Sequence, residues 1–420
     1  MHNAVTVRGH VREGALPSLR TALEAAASEA ATRKSTPATL LGVHFARLSI
    51  LPGAPTLPGG GVGDSLLYMA DVDHSINHHL RQLSRHVPDL VDVVFTFCDG
   101  YPSEPDAQAR FAWLRAHHIP SAATYVNTVG IGAQQVIEEA TLHGWLENYL
   151  SRRPSELTAM APGAIHRAIR AAVAGDPAVD FALRPARGLP FLERLRRVLT
   201  IVCITALLLV TLPATFLIAV PWLIAIRRLE KTDPVSTDRP TPASIARLRS
   251  REDQFACNAF AAVGRVKPGA LRRLTVNVLL RVINLGVTYF FARGSLAGVK
   301  TIHFARWVVL DDTRRIIFTS YYDGSLESYM DDFIDKLSKG LNLIFSNGVG
   351  YPRTRWLISG GAKDEQAFKD YLRVHQVEVA VYYSAYPDLT TANIINSAAI
   401  RKGLTQDLDD DDAGRWLARL

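Results

Sequence analysis

Cysteine is scarce in this 420-residue chain: three residues, Cys98, Cys203 and Cys257, with no CxxC spacing among them. That excludes a disulfide framework and a cysteine zinc motif, and it favours a reducing compartment. Residues 1–12 lack an apolar run, so no conventional secretory signal is expected. No Walker A loop, Rossmann fingerprint, GxSxG elbow or HExxH pair occurs, which removes the usual signatures of nucleotide, dinucleotide, serine-hydrolase and zinc-protease chemistry. The net charge is +7, but no basic-aromatic nucleic-acid motif accompanies it. Charge itself is missing from Val198 to Ile226, 29 residues without one ionisable side chain other than Cys203.

What the chain does have is repetition. Gly9-His10-Val11-Arg12-Glu13-Gly14-Ala15-Leu16 returns as Gly264-Arg265-Val266-Lys267-Pro268-Gly269-Ala270-Leu271. His44-Phe45-Ala46-Arg47 returns as His303-Phe304-Ala305-Arg306, Asp73-His74-Ser75 as Asp323-Gly324-Ser325, and Tyr101-Pro102 as Tyr351-Pro352. The order is unbroken and the offset stays near 250 to 260 residues, the mark of an internal duplication. The expected layout is a first repeat over 1–150, a linker over 151–190, an apolar segment over 191–229, a linker over 230–252, a second repeat over 253–405 and an acidic tail over 406–420, in which Asp407 to Asp412 are expected to be solvated.

Each repeat reads as βαββαβ. In the first, strands are expected over 4–11, 40–51, 66–72 and 122–129, with helices over 16–31, 75–86, 107–117 and 133–150. In the second, strands are expected over 255–266, 300–310, 315–322 and 377–385, with helices over 270–291, 325–337, 364–375 and 392–403. Ser75 and Ser325 are placed as helix N-caps, and a linker helix is expected over 162–174.

This order is the ferredoxin-like pattern, whose single antiparallel sheet leaves one face bare. Two such sheets packed face to face cover each other, so the fold class expected is α+β: tandem ferredoxin-like repeats closed as one α+β barrel, within one chain or across a homodimer. The layout resembles the dimeric α+β barrel superfamily, which includes dye-decolorising peroxidases and chlorite dismutases. That resemblance implies an oxidoreductase with haem as a possible cofactor. The peroxidases carry a GxxDG motif; Ser320 to Gly324 stands in its place here, with Ser320 for the first glycine and Asp323 as the aspartate.

As one helix, the uncharged run would be about 43 Å long, against a hydrocarbon core of about 30 Å. Two halves of one barrel must share a side of the membrane, so a helical hairpin bending near Leu212-Pro213 is expected, with a buried soluble helix and a single crossing as alternatives. Arg194, Arg196, Arg197, Arg227, Arg228 and Lys231 flank the run and place both globular parts on the cytoplasmic side of the cell membrane, in contact with membrane lipid.

The candidate catalytic residues are His303, Arg306 and Asp323, with His303 also the candidate haem ligand. Strand alternation sets His303 and Arg306 on opposite faces unless a bulge intervenes. The plainer readings are a hydrogen-bonded core histidine and a helix-capping aspartate. Arg353 is a further cofactor-binding candidate, and Tyr321, Asn347, Tyr351 and Arg355 are candidate substrate-binding groups around a glycine-rich loop. His74, His78 and His79 have helical spacing but no completing carboxylate or thiol, so a solvated face and no metal are expected there. Two functions follow: a membrane-associated peroxidase-like oxidoreductase acting on an apolar or lipidic small molecule, or a non-enzymatic membrane-bound lipid-binding or scaffold protein. No nucleic-acid partner is expected.

Overall fold

The computed structural model describes residues 2–32, 42–57, 60–157, 159–186, 188, 191–235, 238–290 and 294–420. The start of the strand expected from residue 40 and the end of the helix expected to residue 291 lie outside them, as do parts of both linkers.

The chain is α+β, with antiparallel sheets and one long apolar helix. Ten strands occur among the described residues: β1 (Asn3–His10), β2 (Val43–Leu51), β3 (Ser65–Val72), β4 (Ala123–Val126), β5 (Cys257–Arg265), β6 (Ile302–Leu310), β7 (Arg315–Asp323), β8 (Thr354–Arg355), β9 (Ser359–Gly360) and β10 (Val379–Ser384). β2 and β6 are nearly continuously buried because both of their faces are covered. β6 and β7 are joined by a tight turn in which Asp311, Asp312 and Thr313 all adopt left-handed backbone.

The two main sheets have the orders β1-β3-β2-β10 and β4-β6-β7-β5. Each sheet therefore takes three strands from one half of the chain and its fourth from the other. The last strand of each half also touches its own sheet first. Ile119 donates to the Thr6 carbonyl at 2.8 Å before β4 crosses to β6, and Val377 donates to the Ala261 carbonyl at 2.8 Å before β10 crosses to β2. The eight strands thereby close a ring within one chain, so no second copy is needed to complete it.

The ring interior is filled. At one end Phe45, Phe304, Tyr321, Cys257 and Tyr386 pack together, and toward the other Leu51, Leu67, Met69, Val308 and Ile317 do. Outside the first sheet, Leu19, Leu23, Leu80, Val91 and Trp113 bring in the helices Leu16–Thr32, Ile76–His86, Pro88–Phe95 and Ala107–Ala116. Outside the second, Val276, Leu280, Tyr329, Phe333 and Phe368 bring in Ala270–Tyr289, Leu326–Phe345 and Glu365–His375. Ser75 and Ser325 do cap their helices, each accepting from a backbone N–H at 3.3 Å.

Two expectations change, and one is extended. The acidic run 407–412 lies largely exposed, but the chain goes on in the helix Asp410–Leu417, which buries Ala413 and Trp416 against Pro162–Ala174, and Asp410 accepts from the Gly163 N–H at 2.8 Å. The hairpin bend at Leu212-Pro213 is absent: the helix Phe191–Thr232 runs unbroken through Pro213 and Pro221. Its C-terminal turns dock on the body through the Trp222 N–H to the Thr275 hydroxyl at 3.0 Å and through buried Glu230, which accepts from the Thr354 hydroxyl and the Trp356 and Leu357 N–H groups. Upstream, Leu207 to Val210 and Phe216 to Ile218 are exposed. Finally, the His74/His78/His79 face is not wholly solvated: His79 is buried and hydrogen-bonds the Tyr68 hydroxyl at 2.8 Å.

Candidate functional site

Ionisable groups gather at the ring end where β1, β2, β5 and β6 begin and β3 and β7 finish. In the second sheet, β6 carries a register shift between Ile302 and Phe304, at His303. This is the bulge that strand alternation demanded, and it lets His303 lie beside Phe45, a ring of the barrel interior, at 5.4 Å between centroids. His303 Nε2 is 2.6 Å from Asp323 Oδ1, and the Cys257 thiol sits beside the same imidazole. Asp323 Oδ2 accepts from the Thr391 N–H at 2.8 Å and its hydroxyl at 2.7 Å, at the start of the helix Thr391–Leu404.

The first sheet repeats this arrangement. β2 has its register shift between Val43 and Phe45, at His44. His44 Nε2 is 2.9 Å from Asp73 Oδ1, and Asp73 Oδ2 accepts from the Ala133 N–H at 2.8 Å, at the start of the helix Ala133–Ser151. His2 takes the place that Cys257 holds in the other sheet, with Nδ1 3.2 Å from Asp73 Oδ1. Tyr386 joins the two: its hydroxyl is 2.7 Å from His44 Nδ1, and its ring centroid is 6.2 Å from that of His303.

The electrostatics differ between the sheets. Burial lowers the pKa of His44 and outweighs the Asp73 hydrogen bond that raises it, so this ring is neutral near pH 7. For Asp73 burial works upward, but the hydrogen bonds from His2 and His44 win and hold it well below the usual carboxylate range. His303 goes the other way. Burial works to lower it, but Cys257 and the Asp323 hydrogen bond raise it to about 10.

Arg306 does not join His303 and Asp323. It reaches through the ring to the opposite sheet, donating to the Val5 carbonyl at 2.7 Å, the Ala70 carbonyl at 2.9 Å and the Asp71 carboxylate. Arg47 returns the brace, donating to the Phe260 carbonyl at 2.7 Å, the Ser320 carbonyl at 3.2 Å and the Tyr321 hydroxyl at 3.0 Å. Tyr321 is thus an interior strut, stacked on Phe45 at 4.4 Å. Asn347 and Tyr351 belong to the far end, where Val266 bridges Gly348. Asn347 accepts from Arg272, and the Tyr351 hydroxyl donates to Asn342 at 2.7 Å in the core. Arg353 and Arg355 are exposed beside them. The glycine-rich loop therefore contributes nothing to the His303 cluster.

Haem does not fit these residues. An axial histidine needs a free ring nitrogen facing an open slot, but His303 is engaged by Asp323 and Cys257, and Phe45 packs edge-on against its ring. The Arg306 guanidinium is committed to Asp71 and two carbonyls of the far sheet. Sequence reasoning found His303 with Asp323 and noted His44 and Asp73 as their counterparts, but it missed His2, Cys257 and Tyr386. Carrying the 255-residue offset between Gly9 and Gly264 back along both strands would have paired His2 with Cys257.

No protein-family profile, no curated protein and no solved structure is detectably similar to this chain.

Proposed function

We propose that this chain is a membrane-associated scaffold: two tandem ferredoxin-like halves closing one α+β barrel, held on one face of a membrane by the helix Phe191–Thr232. The observation that carries the reading is the contrast between a ring interior occupied by its own side chains and an uncharged helix left exposed outside it. A catalytic barrel needs room for substrate among convergent polar groups; here those groups bond one another. The sequence repeats and the matched His–Asp geometry of the two sheets support the duplication.

Strands from both sides of the long helix share both sheets, so that helix cannot carry one half across a bilayer while the ring stays closed. Its uncharged run, about 43 Å long, would also have to tilt by roughly 45° to match a core of about 30 Å, beyond the usual range for spanning helices. The run lies within one leaflet, with Arg194, Arg196 and Arg197 at one end and Arg228 and Lys231 at the other among headgroups, on the cytoplasmic face.

The full chain is expected to sediment with membranes after salt and alkaline carbonate washes and to be released by detergent. The double variant Leu208→Glu with Val210→Glu is expected in the soluble fraction with an unchanged far-UV circular dichroism spectrum. Cysteines introduced as G188C and R239C should react with an impermeant thiol reagent from the same side of sealed vesicles. An unmodified chain that stays soluble without detergent overturns the reading, as does labelling from opposite sides. A haem band in the purified protein would revive the peroxidase-like alternative.

A further inference from the structure

The cluster in the first sheet has a property that the scaffold does not require. His2 from the start of β1, His44 from the bulge of β2 and Asp73 just past β3 offer ligand atoms that all lie within 4.8 Å of one another. His44 Nε2 is 2.9 Å and His2 Nδ1 3.2 Å from Asp73 Oδ1. We propose that His2, His44 and Asp73 form a binding site for one divalent transition-metal ion of the zinc class.

Spacing is the first reason. A tetrahedral zinc ion with bonds of about 2.0–2.1 Å holds its ligand atoms roughly 3.4 Å apart. Both measured separations from Asp73 fall short of that by a few tenths of an ångström, so small side-chain rotations open the site. Two imidazoles and one carboxylate leave a fourth position for water, the composition of open zinc and non-haem iron sites.

The surroundings are the second reason. Metal ligands are oriented by partners on their outer atoms. The Tyr386 hydroxyl holds His44 Nδ1 at 2.7 Å, and the Ala133 N–H holds Asp73 Oδ2 at 2.8 Å, so both inner atoms turn toward the cluster. The His2 side chain is 7% exposed, and its buried Nδ1 has Asp73 Oδ1 at 3.2 Å but no well-aligned hydrogen bond. A buried polar atom so loosely held gives up little on exchanging that contact for a metal bond. Ligation through Nδ1 moves the His2 proton to Nε2 and gives up the long Gly130 N–H contact at 3.3 Å, the weakest bond of the set.

The second sheet serves as an internal contrast. His303 is 2.6 Å from Asp323, and Asp323 Oδ2 already takes two bonds from Thr391. Its third member is a thiol, Cys257, fully buried. That cluster is closed by its own hydrogen bonds. The first is partly open, since the Asp73 side chain remains 19% exposed.

The test uses the full chain in detergent, carrying no N-terminal tag, stripped with a chelator and titrated with cobalt(II) as the optical probe, then competed with zinc(II). One cobalt per chain is expected, with the visible bands of a four-coordinate ion and no thiolate-to-cobalt charge-transfer band. His2→Ala and Asp73→Asn should each weaken binding at least 100-fold, and Tyr386→Phe about 10-fold, the usual range for an outer partner. Cys257→Ser should leave it unchanged. His2→Ala removes one ligand while His44 still pairs Asp73 at 2.9 Å, so it keeps the test decisive if Asp73→Asn does not fold. No stoichiometric binding, a thiolate band lost in Cys257→Ser, or binding indifferent to His2→Ala would each overturn the assignment. None of these outcomes depends on membrane association.

Discussion

The two halves of the barrel place the same side-chain types at matching points and use them differently. Arg47 and Arg306 both cross the interior, but Arg47 ends on a tyrosine hydroxyl where Arg306 ends on a carboxylate. His44 and His303 both sit on strand bulges beside an aspartate, yet one is held neutral and the other protonated. The backbone, through its bulges and helix starts, decides where a charged group stands. Its neighbours decide which charge state it keeps.

The sharpest way to break this comparison is to remove the braces. Arg306→Ala leaves the buried Asp71 carboxyl without its cation, and should cost about 3–5 kcal/mol in chemical denaturation. Arg47→Ala leaves only neutral acceptors unpaired and should cost less, roughly 1–3 kcal/mol. Equal losses would mean that the carboxylate is incidental. The pair Arg306→Leu with Asp71→Leu should recover much of the stability, because it removes both charges together.

The histidines come next. His303 has a folded pKa of about 10, above the ordinary value of 6.5. A raised histidine stabilises the fold fully below pH 6.5, and that contribution drains away as pH rises through 10. Denaturation midpoints measured between pH 7 and 10.5 should therefore fall in the unmodified chain. His303→Gln should flatten that fall, while His44→Gln should leave it in place. A slope that survives His303→Gln would contradict the assignment.

The helix caps should show the smallest effects, and there the halves should agree. Ser75 and Ser325 accept N–H groups at the same 3.3 Å, so Ser75→Ala and Ser325→Ala should each cost about 1 kcal/mol, within experimental error of each other.

Much of the architecture was legible. Apolar alternation marked the eight long strands to within a few residues, and serine before a helical run marked the two caps, because both signals are local in the chain. Repetition identified His44, Asp73, His303 and Asp323 as counterparts. The glycine-rich loop misled because glycine and aromatic content resembles a binding loop, whereas the helix Leu326–Phe345 carries that loop to the far end of the ring, against the end of β5. The acidic run 407–412 is exposed, as its charge suggests, but its charge gave no sign that Ala413 and Trp416 just beyond it dock the helix on the body.

By itself, the sequence determined the main secondary elements and the uncharged helix, since periodicity, capping and hydropathy act between near neighbours. Only the tertiary structure decided that the fourth strands trade sheets, that the arginines face inward and bond across the ring, and that His2 meets His44 and Asp73. Those outcomes depend on pairing between segments far apart in the chain. A one-residue bulge chooses which way a side chain points, and no local pattern records it.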